Sequence, residues 1–152
     1  MFRNLLSRLF AEAPDAPVLD GRDAEVAIAA LLIRVARSDD RYARDERSQI
    51  DRILGWRNGI DSVEAAERRA AAEMIEAEAP DTQRLSRTIA ERVPLDDRLS
   101  VVSSLWQVVF ADERRSPAEE ATVRTACELL GVSHVESDRL RRLALDELGQ
   151  PG

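Results

Sequence analysis

Two clusters of carboxylates are the residues of this chain best suited to chemistry. Asp39, Asp40, Asp45 and Glu46 form one, and Asp112, Glu113, Glu119 and Glu120 form the other. Hard cations such as Ca2+ and Mg2+ take oxygen ligands, and gathered carboxylates repel one another until a cation arrives. As a divalent-ion site the set is Asp39, Asp40 and Glu46 with Asp112, Glu113 and Glu119, binding weakly. Asp39 and Asp112 stand where apolar helices are expected to end, a place where the helix dipole disfavours a carboxylate by about 0.3–1 kcal/mol. A loop N–H, an arginine or an ion must compensate there.

Helix capping is the competing explanation, and for these clusters it comes first. Ser116-Pro117-Ala118-Glu119 reads as a capping box with proline at the first helical position, so Glu119 would satisfy a backbone N–H. Ser133-His134-Val135-Glu136 has the same form. In the first cluster Ala43 holds the cap position and has no side-chain acceptor, so that explanation is weaker for Glu46. The alternating ligands and central glycine of a twelve-residue calcium loop are missing from both clusters.

Other reactive residue types point to structure. His134 is the one histidine, in the first turn of the last expected helix with no cysteine nearby, so a zinc site lacks ligands. Cys127 lies on an apolar stripe, as an inert buried thiol would, and has no evident base. Trp106 falls on a core stripe. Trp56, beside Gly55 at a helix end, is expected at the edge of the core, with exposure for a partner as the alternative. With no glycine-rich phosphate loop and no Ser/His/Asp set, the chain is not expected to be an enzyme. A two-metal enzyme would need both acidic clusters to converge.

The elements that must position these residues are helical. Ala, Leu, Arg and Glu dominate the 152 residues, aromatics are 4%, and only six glycines and six prolines interrupt. Helices are expected over about Arg22–Ser38, with Val26, Ala30 and Ile33 inward, and Arg44–Trp56, with Ile50, Ile53 and Leu54 inward. A long helix runs from Asp61 or Ser62 to Ala79 on a stripe of Val63, Ala66, Ala70, Met74 and Ala77. Thr82–Arg92 follows between Pro80 and Pro94. Val102, Leu105, Trp106 and Val109 mark Asp96–Ala111, and Val123, Ala126, Cys127 and Leu130 mark the next helix, closed by Gly131. Ser133 opens the last, with Leu140, Leu143 and Leu148 inward. The expectation is an all-α, compact single-domain bundle of about seven helices, residues 21–149. Ahead of it stand a short amphipathic N-terminal helix (1–11), with Phe2, Leu5, Leu6, Leu9 and Phe10 on one face, and a proline-bearing linker (12–20).

Charge and composition narrow the class. A net charge of −7, with all 22 basic residues arginine and interleaved with acids, argues against nucleic acid as a partner. Nothing approaches the roughly 20 apolar residues of a transmembrane helix. Residues 2–10 suit packing on the body, with peripheral membrane contact or partner docking as alternatives. A single cysteine suits a reducing cytoplasm. An unidentified protein partner is expected, and the oligomeric state is open.

The clusters belong to an internal repeat. Leu32-Ile-Arg-Val-Ala-Arg-Ser-Asp39-Asp40-Arg41, then Glu46 and Ile50, aligns at an offset of 73 with Leu105-Trp-Gln-Val-Val-Phe-Ala-Asp112-Glu113-Arg114, then Glu119 and Val123. In both units an Asp ends an apolar helix and a Glu follows seven residues later. This arrangement, over about Glu25 to Leu148, resembles the TerB-like family associated with tellurite resistance, whose members carry two helix–Ala-Asp-Gly–turn–Glu–helix units. The strongest match runs from Leu105 through Asp112 and Glu119 to Leu129-Leu130-Gly131-Val132-Ser133. The resemblance implies a compact helical fold, acidic patches that bind divalent cations, and a stress-associated role with no established catalysis. The glycine of the motif is replaced by Asp40 and Glu113, and the first unit reads Ser38-Asp39. Arg41, Arg44, Arg114 and Arg115 crowd both loops and compete with an ion for the carboxylates.

Overall fold

The computed structural model describes residues 21–39, 42, 44–79, 81–111 and 116–147, with the side chains of Asp39, Arg44 and Asp45 outside the description. The expected N-terminal helix and linker lie outside the described residues, as do Leu148 and the Ala43 position. Among the described residues the chain forms seven α-helices and no strand: α1 (Gly21–Ala36), α2 (Arg44–Asn58), α3 (Ser62–Glu78), α4 (Thr82–Arg92), α5 (Leu95–Phe110), α6 (Pro117–Leu129) and α7 (His134–Glu147). A single 3-10 turn, Arg37–Asp39, closes α1.

Helix boundaries follow local chemistry. Asp61 and Asp81 accept the backbone N–H groups of Glu64 and Arg84 at 2.8 and 2.6 Å, capping α3 and α4. Ser116 and Ser133 do the same for Glu119 and Glu136, at 3.2 and 3.1 Å, as the capping-box sequences require. The second arms of the two hairpins end alike. Gly59 and Gly131 take positive φ of 61° and 73°, and the residue after each donates to the carbonyl five residues back, Ile60 to Gly55 and Val132 to Cys127.

α1 is the centre of the bundle. Ten of its residues are buried, from Val26 to Ala36, because it packs against α2, α3, α4, α5 and α6. The two repeat units meet there, α1 against α5, and the paired positions are buried in both: Leu32 with Leu105, Val35 with Val108, Ile50 with Val123. Each unit's hairpin carries a covering helix, α3 on α1 and α2, and α7 on α5 and α6. α4 follows the covering helix of the first unit and packs on α1 and α6. Arg57 clamps the far end, pairing with Glu25 of α1 at 3.3 Å and donating to Ser100 and Ser104 of α5.

The inward face of α3 is a correction. Val63 and Met74, expected inside, are exposed at 66% and 54%, and Ala70 and Ala77 are exposed too. Ala65, Ala72, Ile75 and Ala79 are buried instead, with Glu76 among them. Alanines surround this helix, so the apolar pattern does not pick out one face, and ion pairs decide it. Arg69 bonds Asp51 of α2 at 2.6 Å as well as Glu73, and Glu76 is held by two arginines. Leu143, also expected inside, is half exposed, and Ala144 and Leu145 bury in its place.

Candidate functional site

Of the six candidate ion ligands, Glu46 and Glu119 are described in full. They occupy equivalent places in the first turns of α2 and α6, and both are buried, at 8% and 3% exposure. A glutamate there also complements the positive end of the helix dipole. Asp39 ends the 3-10 turn after α1, so its backbone leaves the helix where the repeat requires. Asp40, Asp112 and Glu113 lie outside the described residues. Among the described residues no three acidic, histidine or cysteine side chains converge as a metal set. The donor set remains all carboxylate, which fits a hard divalent cation, and the described part contributes one buried glutamate in the first turn of the helix that follows each loop.

The elements that flank the two loops are tied together. Ser38, in the turn before the first loop, hydrogen-bonds Thr122 of α6 at 2.8 Å, one turn beyond Glu119. Ser38 also bonds the Arg34 carbonyl and Thr122 the Ala118 carbonyl, tying the end of α1 to the first turns of α6. Tyr42, midway along the first loop, donates to Glu73 of α3 at 3.2 Å. Burial, together with the Glu73 charge, pushes its phenol pKa well above the ordinary value, although Arg69 opposes the shift. The guanidinium of Arg37 lies over the Tyr42 ring at 5.2 Å.

Beside this loop lies a cleft that the sequence reading missed. Its volume is about 740 Å3, and Arg34, Arg37, Ser38, Tyr42, Glu76, Thr82 and Thr122 line it. Arg34 donates through Nε to Glu76 Oε1 at 2.8 Å and through Nη2 to the Glu76 and Ala79 carbonyls at 2.9 and 3.3 Å. Arg37 reaches the other oxygen, Oε2, at 3.0 Å. Arg34 and Arg37, three apart on one face, were the available signal. Their partner was hidden by the wrong choice of face on α3.

The repeat produces a second cleft of about 300 Å3, lined by Gln49, Arg52, Ile53, Trp56, Gln107 and Glu147. At the same offset of 73, Arg34 corresponds to Gln107 and Gln49 to Thr122. Gln107 donates to Glu147 of α7 at 3.3 Å, as Arg34 does to Glu76 of α3. Trp56, expected at the edge of the core, is instead 80% exposed on this cleft, because it falls on the outer side of α2 opposite Ile50 and Leu54. Trp106, by contrast, is buried, stacks on Phe110 with centroids 5.8 Å apart and donates to Ser137 at 3.1 Å.

Cys127 is buried against Ser137, 3.4 Å away, and burial pushes its thiol pKa up. His134 is exposed, with Glu128 at 3.6 Å. No helix among the described residues is long and apolar enough to cross a membrane.

An all-helical bundle built on two repeated hairpins, each with a glutamate seated at the start of its second arm, defines the class. The family model described as "Tellurite resistance protein TerB" matches residues 25–142, and the chain belongs to that family. No curated protein and no solved structure matches it.

Proposed function

We propose that this TerB family chain is a non-catalytic, stress-associated binding module of the cytoplasm. Its acidic loops take up a divalent cation, Ca2+ or Mg2+, and the same charge is open to a basic protein partner. The supporting observation is the matched burial of Glu46 and Glu119, each in the first turn of the helix that follows an acidic loop. A ligand fixed in advance lowers the ordering cost of binding. The non-catalytic part of the reading is supported by the burial of Cys127 and its raised thiol pKa, which disfavour a thiolate nucleophile.

A thermal-shift titration with Ca2+, Mg2+ and Mn2+ tests the reading, on the wild type and on Asp39→Asn and Asp112→Asn. A cation bound by the folded state alone raises stability by RT ln(1 + [L]/Kd), about 1.4 kcal/mol at ten times Kd. The expected result is a wild-type shift reduced in both variants. No shift at millimolar ion rejects the cation reading. A second reading, docking of a protein at the Trp56 cleft, is favoured by the 80% exposure of that indole.

A further inference from the structure

We propose that the cleft beside the first loop binds a phosphate monoester, a ligand class separate from the cation of the loops. Two guanidinium groups share one carboxylate there, Arg34 and Arg37 on Glu76. The three side chains together carry one surplus positive charge, which favours an anion. The fold itself does not demand that pair. In the second unit the equivalent positions hold Gln107, which lines the second cleft, and Phe110, which is buried in the core, and Gln107 makes the matching bond to Glu147 with no charge of its own. Arg34 has a structural post, because it holds the carbonyls at the end of α3. Arg37 has less of one: it touches Glu76 through Nη1 alone, spreads over Tyr42, and is 47% exposed towards the cleft.

The donors stand on separate elements. Arg34 comes from α1, Arg37 from the 3-10 turn and Thr82 from the first residue of α4. Donors spread in this way suit a tetrahedral group with three acceptor oxygens better than a planar carboxylate with two, and the guanidinium fork matches phosphate oxygens. The cleft, at about 740 Å3, also leaves room for an organic body beyond the phosphoryl group.

Inorganic phosphate serves as the probe, titrated against the full chain in EDTA, with sodium chloride at matched ionic strength as the reference. Calorimetry is expected to give one saturable site per chain, with thermal stabilisation beyond that in chloride. Arg37→Gln is expected to weaken binding roughly tenfold or more, the loss of one charge-assisted hydrogen bond. Its circular dichroism should be unchanged, because Arg37 lies outside the core. Arg124→Gln, over Trp106 on another face, is expected to bind as the wild type does. Phosphate indistinguishable from chloride overturns the proposal. So does binding that survives Arg37→Gln, or binding that appears only when a divalent cation replaces EDTA.

Discussion

Glu76 shows how one carboxylate organises a region of this molecule. It is 6% exposed and receives both Arg34 and Arg37, so its removal leaves two guanidiniums without their common partner. Glu76→Gln is expected to lower the unfolding free energy by roughly 2–3 kcal/mol in urea denaturation, because a buried ion pair is broken from one side. Tyr42 gives a pH dependence of defined sign. Its folded pKa lies above the ordinary 10.0, so its contribution is fully present below pH 10 and is lost as pH rises beyond it. Tyr42→Phe should therefore lose stability less steeply above pH 10 than the wild type. Some decline should persist in that variant, because the raised Cys127 thiol acts in the same direction from 9.0 upward. Urea midpoints taken on both sides of pH 10 measure the difference.

At the scale of elements, the caps and the repeat were legible in the sequence and one helix face was not. Ser116 and Ser133 cap as their capping boxes indicate, so Ser116→Ala and Ser133→Ala should each cost about 1 kcal/mol in chemical denaturation. Gly131 is at φ 73°, and a Cβ there would sit 3.2 Å from Arg98 Nη1, which bonds the Leu130 carbonyl. Gly131→Ala is expected to cost about 1–2 kcal/mol for the left-handed conformation alone. α3 escaped the reading because its alanines fit either face, and its orientation is set by Arg69 and Glu76 reaching partners on α2 and α1. Apolar periodicity carries no record of such long-range pairs. The arginine-lined cleft went unseen for the same reason, since Glu76, Thr82 and Thr122 reach it from α3, α4 and α6. Trp56 marks another limit: its neighbours Ile53 and Leu54 are buried, and a large ring at a helix end gives no local sign of which way it turns.

Across the whole molecule, α1 belongs to both halves. It anchors the first hairpin and packs on α5 and α6 of the second, so the halves have no independent cores. Leu32→Ala and Leu105→Ala, at equivalent buried positions, should each cost about 2–5 kcal/mol. Each should shift the far-ultraviolet helical signal and the near-ultraviolet signal of buried Trp106 by the same amount, as one cooperative transition. The same duplication puts a buried glutamate in the first turn of the helix after each acidic loop, and the proposal that the loops act as cation sites depends on it. Backbone amide NMR during titration with Ca2+ and Mg2+ addresses that proposal most directly. The account predicts saturable shifts confined to residues 39–46 and 112–120, with the bundle elsewhere unmoved. Spectra unchanged at millimolar ion, or shifts scattered evenly over the surface, would contradict it.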